Sequence, residues 1–213
     1  MLVKICGITR PQDAQAAVDL GASAIGFIFW PKSPRYIEPA AARAIAASLP
    51  AFVTAVGVFV NEPVPRINEV ARETGLGAVQ LHGDEAPADL AGLERPVVKA
   101  ISRIEETTAG RWPARVRLLV DADDPVRRGG TGARADWNAA AALARQRPIV
   151  LAGGITPENV ADALHAVRPF GIDVSSGVEA APGIKDAARL QALFDALRRT
   201  QESSEERGPV RVR

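Results

Sequence analysis

A single cysteine, Cys6, stands among 213 residues, with two histidines, one methionine and one tyrosine. One cysteine excludes an internal disulfide and suits a reducing compartment, so a cytoplasmic setting is expected. Two histidines, His82 and His165, leave little material for a His-rich metal site, and neither metal nor cofactor is expected. An excess of one charge is also lacking: Lys and Arg number 26, Asp and Glu 25, for a net +1. That balance gives no electrostatic case for nucleic acid or for an anionic membrane. No apolar run approaches membrane-spanning length, and no charged-then-apolar leader follows Met1. What is present is ordinary for a globular chain, 47% hydrophobic and 24% charged. The length suits one large domain or two small ones, with a substantial core.

Short β-branched runs alternate with Ala-rich amphipathic stretches along nearly the whole chain. The run ending at Lys4-Ile5-Cys6 reads as a strand. Gly7 breaks it, and Thr9, Pro11 and Gln12 have the spacing of a capping box with proline in the first helical turn. Further strands are expected over 24–29, 52–60, 78–81, 97–101, 116–121, 149–152 and 172–175. Helices are expected over 39–48, from 61 to 73, over 87–93 and 136–145, and after Thr156-Pro157, with a weak one over 104–109. The last helix is marked by Leu190, Leu193, Phe194 and Leu197 at i, i+3, i+4 and i+7. Eight strand–helix units, with strands apolar on both faces, predict a single-domain (β/α)₈ TIM barrel over 1–200. A doubly wound open sheet would usually carry a Gly-rich fingerprint after its first strand, and Cys6-Gly7-Ile8-Thr9 is not one. Residues 201–213 turn polar and are expected to form a disordered tail.

In a barrel of this kind, function gathers where the strands end. Lys4 and Cys6 share a face of the first strand, roughly 6–7 Å apart. Asp121 ends the sixth strand. Gly153-Gly154 follows the seventh and Ser175-Ser176-Gly177 the eighth, the two loops from which barrels commonly assemble a phosphate cradle. A phosphate held there would put its sugar between Cys6 and Asp121, the geometry of an acid–base pair straddling one substrate. Each of these residues also has a plainer reading: inert core cysteine, turn aspartate, tight-turn glycines. Arg35 offers a planar fork for a second anion, or is a solvated loop arginine. Gln80, His82 and Lys99 are expected inside the barrel or at its rim.

Taken in order and at barrel spacing, several motifs are specific. They are Lys4-Ile5-Cys6-Gly7-Ile8-Thr9, Pro31-Lys32-Ser33-Pro34-Arg35-Tyr36-Ile37, Gly57-Val58-Phe59-Val60-Asn61, Val79-Gln80-Leu81-His82-Gly83 and Asp173-Val174-Ser175-Ser176-Gly177-Val178-Glu179. Over about residues 2–198 the chain resembles the phosphoribosylanthranilate isomerase family of tryptophan biosynthesis. The resemblance implies an Amadori rearrangement of N-(5-phosphoribosyl)anthranilate without a cofactor, with Cys6 as general base and Asp121 as general acid. It further implies Arg35 at the anthranilate carboxylate and Asp173 near the anthranilate amine. Gly153, Gly154, Ser175, Ser176 and Gly177 would then lie at the phosphate, with Gln80 and His82 as further substrate contacts. Such an enzyme would act on its small-molecule substrate as a monomer or homodimer. The base role asks for a cation beside the thiol, which Lys4 can supply, and the acid role asks for a raised carboxyl pKa. In one place the family pattern is not met. The loop after strand six usually continues Gly-Gly-Thr-Gly-Lys-Thr-Phe-Asp-Trp, whereas here Gly129 to Gly132 lead into Ala133-Arg134-Ala135-Asp136-Trp137. Lysine and phenylalanine are absent from a loop expected to close over substrate. Rival readings are a metal-dependent pentose-phosphate epimerase, a Schiff-base aldolase working through Lys99, and a phosphate-binding barrel without activity.

Overall fold

The computed structural model describes residues 1–122 and 135–206. Eight parallel strands close on themselves in sequence order. They are β1 (Leu2–Cys6), β2 (Ala24–Ile28), β3 (Thr54–Phe59), β4 (Ala78–Leu81), β5 (Val97–Ile101), β6 (Arg117–Val120), β7 (Ile149–Leu151) and β8 (Gly171–Val174). Closure is made by β1 and β8, with Lys4 opposite Asp173 in the register. The helices α1 (Pro11–Leu20), α2 (Pro39–Ala46), α3 (Val64–Thr74), α4 (Thr108–Arg111), α5 (Trp137–Ala144), α6 (Val160–Val167) and α7 (Ala187–Glu206) complete the alternation. The expected (β/α)₈ barrel is therefore the observed fold.

Two apolar layers follow from the period of two in each strand. Outward-facing Ile5, Ile25, Val79, Leu118, Leu151 and Ile172 pack beneath the helices in the main core. A smaller cluster of Ala100, Leu119, Val150 and Ala152, with Leu2 and Val98, fills the barrel itself. Above that plug the inward positions turn polar, and the mouth begins.

Several local expectations change. The α1 helix starts at Pro11 with Arg10 as its N-cap and no side-chain cap. Thr9 instead donates to the Gly183 carbonyl at 2.6 Å, because a second element competes for its hydroxyl. That element is a hairpin, β9 (Glu179–Ala181) with β10 (Ile184–Lys185), which follows a 3₁₀ turn at Ser176–Val178. The segment over 87–93 makes only a 3₁₀ turn at Pro87–Leu90, and the one over 104–109 shifts to the four-residue α4. Arg147 braces this irregular stretch. Its Nη1 donates to the carbonyls of Ala109 and Trp112, both at 2.9 Å, and its Nη2 to those of Pro113 and Val116. The polar segment after Thr200 does not leave the helix at once. The α7 helix runs to Glu206, since Gln and Glu are sound helix formers and the first breaker is Gly208. The remainder of the expected tail, 207–213, lies outside the described residues, as do Gly129–Gly132, Ala133 and Arg134.

Candidate active site

The β1 strand places Lys4 and Cys6 on its inner face, and the wall is built to admit them. Gly26 of β2 lies opposite Cys6 in the register. A Cβ at 26 would sit 2.8 Å from Cys6 Sγ and 3.0 Å from Lys4 Cε, so only glycine leaves room for both side chains. Lys4 Nζ donates to both carboxylate oxygens of Asp173, each at 2.9 Å. Burial disfavours the ammonium, but Asp173 and Cys6 outweigh it and hold Lys4 protonated above the ordinary lysine range. Cys6 is affected in the opposite sense. Burial pushes its thiol up, Lys4 and Lys185 pull it down, and Asp173 adds to the rise; the net shift is upward. The cation expected beside the thiol is thus present, yet at rest it is spent on Asp173 and Cys6 stays a neutral thiol.

Across β7 and β8 from Cys6, Asp121 follows the end of β6. Its Oδ1 accepts from the Ala122 N–H at 2.8 Å, and its Oδ2 lies 3.3 Å from His82 Nε2. His82 Nδ1 in turn meets Gln80 Nε2 at 3.0 Å. Gln80 and His82 point the same way because they are two apart on one strand line. Gln80 is 1% exposed, and its amide meets the histidine inside the barrel. Lys99, expected inside the barrel or at its rim, takes a different place. Its neighbours Val98 and Ala100 face inward, so Lys99 faces outward, where its ammonium lies 5.9 Å over the Trp112 ring. It donates to the Gly83 carbonyl and to Glu85, both at 2.7 Å, out of reach of a substrate in the mouth.

The Pro-Lys-Ser-Pro-Arg loop turns twice. Ser33 N–H donates to the Trp30 carbonyl, Tyr36 N–H to that of Ser33, and Ile37 N–H to that of Ile28. The loop thereby lays Arg35 over Gly7, at whose Cβ position the Arg35 Cδ would be 2.7 Å away. Arg35 is buried and forks onto Glu179, with Nε to Oε1 at 2.9 Å and Nη2 to Oε2 at 2.7 Å. Lys185 Nζ donates to Glu179 at 2.8 Å and to the Ser175 carbonyl at 3.2 Å. Burial pushes Glu179 up, but Arg35 and Lys185 outweigh it and hold the carboxyl below its usual range. Burial also pushes Lys185 down, against the pull of Glu179. Glu179 and Lys185 were not among the expected site residues, because nothing in the sequence marks the hairpin that carries them.

The two loops beside this cluster interlock. Gly153 and Gly154 end β7 at φ of 75° and 65°, where side chains are strained. Asn159 ties the turn, donating to the Gly154 carbonyl at 2.7 Å and accepting from the Thr156 N–H at 2.9 Å. Any Cβ at Gly177 would strike the Ile155 carbonyl, so this glycine lets the β7 and β8 loops touch. Ser175 Oγ donates to the Cys6 carbonyl at 3.1 Å, joining the cradle to β1. Among the described residues no group of three or more His, Cys, Asp or Glu could hold a metal, and no helix is long and apolar enough to cross a membrane.

Fold and site together define a class: a (β/α)₈ barrel enzyme with a thiol and a carboxyl on opposite sides of a mouth rimmed by glycine loops. Comparison with known proteins narrows that class. The family model described as N-(5'phosphoribosyl)anthranilate (PRA) isomerase matches residues 3–196. A relative from Pelobacter propionicus, named N-(5'-phosphoribosyl)anthranilate isomerase, is 47% identical over 207 residues, 95% of this chain and 98% of its own length. The solved phosphoribosyl anthranilate isomerase from Thermus thermophilus superposes with a TM-score of 0.86 at 41% identity, over 93% of this chain and 99% of that one. Another, solved in complex with reduced 1-(o-carboxyphenylamino)-1-deoxyribulose 5-phosphate, gives 0.82 at 40% identity, over 93% and 98%. The chain belongs to the phosphoribosylanthranilate isomerase family.

Proposed function

We propose that Cys6 and Asp121 carry, in this chain, the reaction of its family. N-(5-phosphoribosyl)anthranilate is isomerised to 1-(2-carboxyphenylamino)-1-deoxyribulose 5-phosphate by an Amadori rearrangement, a step of tryptophan biosynthesis. The protein is an isomerase working by acid–base catalysis alone, in the cytoplasm. Its site calls on residues of one chain, which suits a monomer and a homodimer equally. The observation that carries the reading is the Cys6–Lys4–Asp173 cluster on one side of the interlocked β7 and β8 loops, with Asp121 on the other.

Asp121 gives its proton to the furanose ring oxygen, the C1–O bond breaks, and the anthranilate nitrogen takes up the positive charge as an iminium. Cys6 then removes the proton on C2 of the sugar, leaving a neutral enolamine that tautomerises to the ketone. The resting state of Cys6 suits this order. Asp173, which stands at the amine, raises the thiol pKa until a cation arrives. An iminium beside Asp173 neutralises that carboxylate, and Lys4 is left to favour the thiolate. Gly153, Gly154, Ser175, Ser176 and Gly177 hold the phosphate with backbone N–H groups. Arg35, its fork fixed by Glu179, stands to meet the anthranilate carboxylate, and half-buried His82 touches substrate beside Asp121.

The test is growth of an isomerase-deficient tryptophan auxotroph carrying this gene. The wild-type chain should restore growth, and Cys6→Ala and Asp121→Asn should not, each with kcat lowered by roughly 10²–10⁴-fold in the purified protein. Growth on the Cys6→Ala variant would place the base elsewhere.

A further inference from the structure

The Gln80 amide is buried, and its oxygen, Oε1, has no partner among the described residues. The amide meets His82 through Nε2, 3.0 Å from Nδ1. Among the described residues no contact of Oε1 therefore fixes which end of the amide faces the ring, and the two ends have opposite consequences.

With Nε2 toward Nδ1, the amide donates, so Nδ1 is bare and the neutral ring carries its hydrogen on Nε2. That hydrogen is aimed at Asp121 Oδ2, 3.3 Å away, and the pair is at rest with Asp121 as a carboxylate. With Oε1 toward Nδ1, the amide accepts, and the ring must carry a hydrogen on Nδ1. The Nε2 lone pair or an Nε2–H then faces Oδ2, and the pair holds one proton more, shared between His82 Nε2 and Asp121 Oδ2. The second arrangement is the one from which Asp121 can donate. Oδ1 is engaged by the Ala122 N–H, which leaves Oδ2 as the oxygen that gains and gives the proton.

We propose that Gln80 is a positioning residue which, by turning its amide end for end, sets whether the His82–Asp121 pair carries the proton that opens the sugar ring. The proposal rests on Asp121 being the general acid. Delivery of the proton to the ring oxygen leaves a carboxylate facing a lone pair. A fresh proton from solvent relieves that repulsion and reloads the acid; part-exposed His82 is its route in. Among the described residues few other charges come from neighbouring strands. From β5 comes Lys99, facing outward and paired with Glu85 at 2.7 Å. The strands β3 and β7 bear no titratable side chain. Across the mouth stand Cys6 and the Lys4–Asp173 pair. Residues 123–134 lie outside the described ones.

Nuclear magnetic resonance on the full chain, labelled with ¹⁵N in histidine and ¹³C in aspartate, reads this directly. In a pH titration the His82 Nδ1 should gain its hydrogen in the same step in which the Asp121 carboxyl titrates. If Nδ1 stays bare through that step, the amide does not turn and the proposal is overturned. Gln80→Met, which cannot hydrogen-bond, should separate the two events and lower kcat at least tenfold with KM within about twofold; an unchanged kcat also overturns it. Gln80→Glu, which accepts only while ionised, should keep hydrogen on Nδ1 wherever its own carboxyl is ionised. Should neither variant fold, the wild-type titration decides. An Asp121→Asn protein with full activity would remove the acid assignment itself. An inactive one, with Nδ1 bare throughout the wild-type titration, would remove only the role of Gln80.

Discussion

At rest the Cys6 thiol is enclosed by the barrel wall and faced by Asp173, and both keep its proton on. This has a sign that can be measured. An unfolded thiol ionises near pH 8.5, and the folded one ionises higher. Between those two values the folded chain holds a proton that the unfolded chain has lost, so stability falls as pH rises through that window. The thermal midpoint of the wild type is expected to decline above about pH 9 more steeply than that of Cys6→Ala, and alkylation by iodoacetamide should still be accelerating there. Equal slopes for the two proteins would mean that the thiol is not raised. Lys4 and Cys6 could be placed on one face from their spacing alone, since strand geometry is local. The diversion of Lys4 to Asp173, 169 residues on, could not, because only barrel closure brings β1 beside β8. Lys99 shows the same limit. Its strand was plain in the sequence, but which face it occupied depended on register.

The β7 and β8 loops were readable as elements because two glycine-bearing turns followed two short apolar runs. Their mutual contact through Gly177 and Ile155 is a property of the folded pair. If these loops grip the phosphate alone, inorganic phosphate should inhibit competitively, raising the apparent KM and leaving kcat unchanged. Gly177→Ala, which forces the loops apart, should weaken that inhibition by about tenfold or more. Noncompetitive inhibition would place the anion elsewhere. The β9–β10 hairpin was not readable at all. Glu179 to Lys185 shows no alternation, and Pro182-Gly183 reads as any turn. Contacts from α1 and the residues before it hold it: Thr9 on the Gly183 carbonyl, Asp13 accepting from the Lys185 N–H at 2.9 Å, and Arg10 on the Lys185 carbonyl. Such a strand pair exists because of tertiary partners rather than propensity.

On the scale of the molecule, the two ends of the barrel divide the work. The mouth holds every group assigned to chemistry, while the opposite end is braced by residues such as Arg147, whose guanidinium meets four backbone carbonyls. Burial and nearby Arg117 push Arg147 below the ordinary arginine pKa, so its place is costly and its bonds must compensate. Arg147→Ala leaves part-buried carbonyls without these donors and is expected to destabilise the chain by about 1–3 kcal/mol, read as a lower denaturation midpoint in urea. The kcat of the folded fraction should not change, because the brace lies on the far side of the apolar plug from Cys6 and Asp121. A loss of kcat that matched the loss of stability would mean that the two ends are mechanically coupled.

Peroxide and related oxidants attack thiolates far faster than thiols. On the proposed mechanism Cys6 stays protonated until a cationic intermediate lies over it, which makes it a poor target between turnovers. The wall and Asp173, which together keep the Cys6 proton on, also shield the thiol, and a chain whose one cysteine is its proposed base gains a chemical lifetime from them.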